Sequence, residues 1–146
     1  ELFFLDRMIA SNEYELIMIE DKMKNGKDID FRLYFKRNKQ EILVEIMNVR
    51  LNTSNLESFS IFHEHLNRKV TDKIFDKTKG QISDYNFHLQ PILWGSGDEL
   101  KKVVSFYKNG FEILINGVME PLAYCCLSYE GSEPKYRFNK ITTLFD

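Results

Sequence analysis

The segment Asp28-Ile-Asp-Phe-Arg-Leu-Tyr-Phe35, followed after a short turn by Glu41-Ile-Leu-Val-Glu-Ile-Met-Asn-Val49, reads as two adjacent β-strands, and that reading decides the fold. In the first strand Ile29, Phe31, Leu33 and Phe35 alternate with Asp28, Asp30, Arg32 and Tyr34, which separates an apolar face from a polar one. The turn falls in Lys36-Arg37-Asn38-Lys39-Gln40. With Asn38 and Lys39 at its tip, Arg32 faces Glu45 and Asp30 faces Met47. Asp30 and Glu45 then become diagonal neighbours, roughly 7–8 Å apart on one face. Two carboxylates on the arms of a hairpin are a common way to hold magnesium or manganese. The alternative is two solvated acids, with Asp30 paired to Arg32 or Arg50.

At 146 residues the chain fits one domain, 1–146, large enough to bury a core without staples. Its 43% hydrophobic and 14% aromatic content, with 12 Phe and 7 Tyr, indicates a sheet-rich globular protein rather than a disordered or fibrous one. Cys125 and Cys126 are adjacent within an apolar run, which suits buried thiols in a reducing compartment. No run of eighteen or more apolar residues is present, and the start Glu1-Leu-Phe-Phe-Leu-Asp6 lacks the basic region of a secretory signal. The expectation is a cytoplasmic protein with no membrane partner. A first residue other than Met suggests a processed chain or a domain excised from a longer polypeptide. The net charge of −2 argues against indiscriminate binding of polyanions, so any nucleic-acid contact must use a local patch.

Leu2, Phe3, Leu5, Met8 and Ile9 recur at helical spacing and predict a helix from 1 to about 11, ended by Ser11-Asn12. Residues 14–20 extend that helix or form a short buried strand. The turn signal Asn25-Gly26 and the two strands that follow favour the strand, giving a meander over 14–20, 28–36 and 41–49. Residues 50–60 are polar and read as a surface loop able to close over a site. A helix from about 62 to 82 follows, with Leu66, Val70, Ile74, Phe75 and Ile82 inward and Lys69, Lys73, Lys77 and Gln81 four apart on another face. Phe87–Trp94 reads as a buried strand, and Ser96 or Asp98 as the cap of a helix over 98–109. Residues 111–116 fit a short helix or a strand, 121–129 an apolar strand, and 136–144 an edge strand. The layout is α/β, with a mixed central β-sheet flanked by helices.

This order of elements resembles that of the PD-(D/E)XK nucleases, the restriction-endonuclease-like superfamily. In that family an acid on one strand is followed by acid-x-lysine on the next and then by a helix near the site. Asp30 matches the first acid and Glu45-Ile46-Met47 the second motif, with Met47 where the family usually has lysine. Some members supply the basic group from the following helix. The resemblance spans residues 14–94 and implies a metal-dependent nuclease acting on DNA more readily than RNA, working as a homodimer or within a larger polypeptide. It implies that Asp30, Glu45 and the Ile46 carbonyl hold Mg²⁺ or Mn²⁺, whose water attacks a phosphodiester. Lys73, with Lys69 as second choice, would support catalysis, while Lys77 and Gln81 would contact the phosphate backbone. Glu20 or Asp28 would complete a second shell. The rival reading is a nuclease-like domain that has lost catalysis and binds nucleic acid or protein.

Other residue groups point to less. The lysine row alternates with Asp72 and Asp76, which alone would make an ordinary solvated helix laced with ion pairs. His63 and His65, two apart near a helix start, do not face one site and read as surface residues, and His88 as a core histidine. Gly95-Ser-Gly97 reads as a turn, and Trp94 with the many Phe as core rather than as base-stacking platforms.

Overall fold

A computed structural model of the protein describes residues 1–145; Asp146, the end of the expected single domain, lies outside the described residues. The chain runs α1 (Leu2–Ala10), β1 (Tyr14–Lys22), β2 (Asp28–Phe35), β3 (Gln40–Arg50), α2 (Phe59–Thr78), β4 (Phe87–Gly95), α3 (Gly97–Lys108), β5 (Ala123–Glu130) and β6 (Glu133–Lys140), with short 3₁₀ turns between. The strands form one mixed six-stranded sheet in sequential order, and with the three helices this is the expected α/β architecture. Two compact units share it, one of Glu1–Ile46 with Thr71–Leu89, the other of Met47–Val70 with the chain from Gln90 onward.

In the first unit β1, β2 and β3 are an antiparallel meander. β2 alternates as its sequence dictates, with Ile29, Phe31 and Leu33 buried and Asp30 and Arg32 part-exposed. Its register with β3 differs from the expectation by two residues: Phe35 pairs with Gln40 and Arg32 with Leu43, not with Glu45. A four-residue loop closes the hairpin, with Lys39 at φ 51°. A slip of two keeps every side chain on its face, so the acids stay on the polar face while their partners change. β1 is a strand, not a continuation of α1, yet it is not buried. It is an edge strand whose Leu16, Ile17, Met18 and Ile19 are all exposed, and the register shifts between Leu16 and Met18.

β3 is buried from Ile42 to Met47, as a strand covered on both faces must be. The Leu43 N–H donates to the Asn86 carbonyl at 3.1 Å and the Leu51 N–H to the Trp94 carbonyl at 2.7 Å, so β4 runs parallel to β3. β5 is parallel to β4 and antiparallel to β6.

α2 begins earlier and ends earlier than its apolar spacing suggests. Phe62, Leu66 and Val70 are buried, but Phe75 is 62% exposed and Ile74 only half-buried, because the inward stripe fades in the last two turns. Lys79 at φ 56° and Gly80 at φ 84° stop the helix at Thr78, which leaves Gln81 off the lysine row. Residues 50–60 are less free than their polarity implies. The Asn55 side chain accepts from the Asn52 N–H at 3.0 Å and donates to the Arg50 carbonyl at 3.1 Å, and Leu51, Asn55 and Leu56 are buried. Ser96, not Asp98, caps α3 through a reciprocal capping box with Glu99. Residues 111–116 form neither helix nor strand, and the last strand ends at Lys140.

Candidate functional site

The ladder between β2 and β3 ends at the pair Phe31 and Val44. One residue further along each strand stand Asp30 and Glu45. Where the ladder stops, the Asp30 carboxylate takes over: its Oδ2 accepts the Ile46 N–H at 2.7 Å. In an extended strand the N–H and C=O of one residue project to the same side, so the Ile46 carbonyl also faces β2. The Asp30 carboxylate and the Ile46 backbone thus meet at one end of the hairpin, near enough to Glu45 for its charge to act on Asp30.

Glu45 is only 4% exposed, an unusual position for a carboxylate without partners. Its Oε1 receives two ammonium groups from the last two turns of α2, Lys73 Nζ at 2.7 Å and Lys77 Nζ at 3.0 Å. Its Oε2 is buried and has no hydrogen-bond partner. A buried carboxylate oxygen left unpaired carries a full desolvation cost. Burial also pushes the Asp30 carboxyl above the ordinary aspartate range; the Ile46 N–H opposes that shift, and the Glu45 charge adds to it.

The helix lysines are not paired with the aspartates between them. Asp76 instead bonds Lys27 at 2.8 Å, so the row turns inward toward Glu45 rather than forming a laced surface. Lys77 is the more enclosed of the two, its side chain 12% exposed against 33% for Lys73. It also donates to the Asp28 carbonyl at 2.6 Å, which ties the end of α2 to β2. Lys77, which the sequence reading assigns to a phosphate backbone, has its ammonium on Glu45 in this structure. Lys73 keeps a solvent-facing side. Lys69 is part-exposed, and no ion pair involves it among the described residues.

The remaining candidates stand apart from this cluster. Gln81 is exposed beyond the helix end. Asp28 pairs with Lys22 at 2.6 Å at the surface, and Glu20 is exposed at φ 52°. Asp30 meets neither Arg32 nor Arg50: Arg32 goes to Asp21 and, at 3.2 Å, to Glu41. His65 is not a simple surface residue. Its Nε2 is buried without a partner beside a cavity of about 270 Å³, and burial, then the charges of Lys69 and Arg68, lower its pKa. His88 is half-buried, with its pKa lowered by burial. Cys125 and Cys126 are free thiols, the first buried. Among the described residues no three His, Cys, Asp or Glu side chains gather into a metal-holding group, and no helix is long and apolar enough to cross a membrane. The groups that could hold an ion, Asp30, Glu45 and the Ile46 carbonyl, offer oxygen only, a chemistry that suits a magnesium-like ion better than a zinc-like one.

Trp94 departs from the core assignment: it is 37% exposed, at a cleft with Tyr136. Its place at the end of an apolar strand, just before Gly95-Ser96-Gly97, was the available signal. Comparison with family models, with curated proteins and with solved structures returns no match for this chain.

Proposed function

We propose that the protein is a metal-dependent nuclease of restriction-endonuclease-like fold, with Asp30 and Glu45 as the acids of its site. The observation that carries this reading is the buried, unpartnered Oε2 of Glu45, on the face it shares with Asp30. A divalent cation there would satisfy that oxygen and offset the burial cost that raises the Asp30 pKa. The order of α1, the β1–β3 meander, α2 and a parallel β4 supports the family resemblance.

Asp30, Glu45 and the Ile46 carbonyl would hold Mg²⁺ or Mn²⁺, which supplies an acidified water and charge neutralisation for phosphodiester hydrolysis. Lys77, enclosed and shared between Glu45 and the Asp28 carbonyl, holds the acid in position. Lys73 is the lysine with access to solvent, and its ammonium would orient the attacking water and stabilise charge growing on the phosphate. It would thus stand in for the lysine absent at Met47, itself a buried residue.

A second reading has a specific observation in its favour. Two ammonium groups already pair with Glu45, so the cluster has the composition of a structural ion-pair knot. The domain would then bind nucleic acid or protein without cutting. Calorimetric titration of Mg²⁺ and Mn²⁺ into wild type and Asp30→Asn, each with and without DNA, separates the two. The nuclease reading expects metal binding in wild type that Asp30→Asn loses, with cleavage that chelator stops. Absence of metal binding even with DNA present overturns it in favour of the binding module.

A further inference from the structure

In the second unit, the C-terminal ends of β3 and β4 and the start of α3 border a cleft of about 620 Å³, within the size range of small-ligand sites. Its wall is the Trp94 indole, whose Nε1–H donates to the Asn48 Oδ1 at 2.8 Å. That bond fixes the ring, so its orientation is paid for before any ligand arrives. Tyr136, 62% exposed, stands edge-on to Trp94 with ring centroids 6.3 Å apart and planes at 71°. Two aromatic rings at such an angle form a corner: a flat group that stacks on one ring meets the other as a side wall.

At the base of the cleft Leu51 and Glu99 close in on Gly95: a Cβ there would lie 3.0 Å from both Glu99 Oε2 and Leu51 Cδ1, so only glycine allows that close packing. The polar side of the cleft favours an anion. Arg50 is exposed and belongs to no ion pair among the described residues. The acid beside it, Glu99, is engaged, its Oε2 accepting the Ser96 N–H at 2.7 Å in the cap of α3. A flat aromatic ring beside a negative group is the chemistry that this combination recognises.

We infer that this cleft binds a nucleobase, stacked on Trp94 with Tyr136 as its side wall, and with its 5′-phosphate on Arg50. The base belongs to a free nucleotide or to an unpaired position of a strand, and the site does not depend on the acid pair or on a metal.

Trp94 is the sole tryptophan of the chain, so its emission reports occupancy directly. The experiment titrates the full chain, in EDTA, with adenosine 5′-monophosphate, adenosine, ribose 5-phosphate and a short single-stranded oligodeoxyadenylate. Quenching by the mononucleotide supports a free-nucleotide site, and quenching by the oligomer alone supports a base presented by a strand; ribose 5-phosphate quenches in neither case. Tyr136→Ala weakens binding on the order of tenfold, the effect of losing one aromatic wall. Arg50→Ala weakens the mononucleotide but not adenosine, and Asp30→Asn changes neither. Both cleft residues are exposed, so these variants fold, as circular dichroism would verify. No quenching by any probe, ribose 5-phosphate competing as well as the nucleotide, or equal affinities in Tyr136→Ala and wild type would overturn the inference. None of these results bears on metal binding at Asp30, so the two readings fail separately.

Discussion

The two halves of α2 are held in different ways. From Phe59 to Val70 the helix is fixed by apolar burial: Phe62, Leu66 and Val70 are sealed, and Phe59 stacks on Phe111 with centroids 4.5 Å apart. From Thr71 to Thr78 the apolar stripe fades, Phe75 points to solvent, and charge takes over through Lys73 and Lys77 on Glu45 and Asp76 on Lys27. Asn25 adds a side-chain bond to the Lys77 carbonyl at 2.8 Å. Burial is non-directional and fixes where a helix lies; charge-assisted hydrogen bonds are directional and fix where an ammonium points. A half-helix held by charge suits a site that must place a cation, at the cost of stability that depends on each partner.

The sharpest break of this comparison is a pair of truncations, one in each half. Leu66→Ala empties a fully buried position and should cost about 3–4 kcal/mol. Glu45→Ala leaves the enclosed Lys77 with the Asp28 carbonyl but no carboxylate, and should cost about 3 kcal/mol. Glu45→Gln, which keeps the shape and one acceptor, should cost clearly less than Glu45→Ala. Urea denaturation measures all three. A Glu45→Ala midpoint equal to wild type would mean that charge does not hold the second half, and the account of Lys77 would fall with it.

The lysines grade the effect further. Lys77→Ala strips a buried carboxylate and a backbone carbonyl of a donor and should lose about 2 kcal/mol. Lys73→Ala, at a part-exposed pair, should lose under about 1 kcal/mol while abolishing most of the proposed nuclease activity. Lys69→Ala should stay within about 0.5 kcal/mol of wild type and keep activity. Activity that falls with Lys69 and survives without Lys73 would reverse the assignment of the solvent-facing lysine.

Some of this was legible in the sequence and some was not. The alternation in Asp28–Phe35 identifies a strand and the face of its acids, because burial imposes a period of two. It does not identify the register, which depends on loop length, and the closure at Phe35 and Gln40 moved each partner by two. Since a slip of two preserves faces, the pairing of Asp30 with Glu45 survived an incorrect ladder. β1 misled for a different reason: Leu16-Ile-Met-Ile19 has the composition of a buried strand, but the strand lies at the sheet edge, and composition carries no lateral position. The spacing of Lys69, Lys73 and Lys77 was visible, whereas which two reach Glu45 depends on where α2 ends. Lys79 and Gly80 mark that end only through their left-handed backbone, which spacing does not reveal, so the four-residue period runs on to Gln81.

The smallest stability effect has the opposite sign and concerns Asp30. Its pKa is raised first by burial, with the Ile46 N–H opposing and the Glu45 charge reinforcing. The folded protein therefore holds the Asp30 proton to higher pH than the unfolded chain does. The stabilising contribution of protonated Asp30 is complete below the ordinary aspartate pKa and is lost as pH rises through the folded value, so ionised Asp30 costs stability at neutral pH. Asn at this position keeps an oxygen for the Ile46 N–H but no charge. Without metal, Asp30→Asn should melt above wild type at neutral pH, and the gap should close as pH falls through the folded pKa. Added Mg²⁺ should raise wild type and leave the variant unmoved, because only a state that binds the ion gains from it. A variant that melts below wild type at every pH would mean that the Asp30 charge itself stabilises the fold, through a charge-assisted bond from the Ile46 N–H, and the acid would then be a device for ending a ladder rather than a metal ligand.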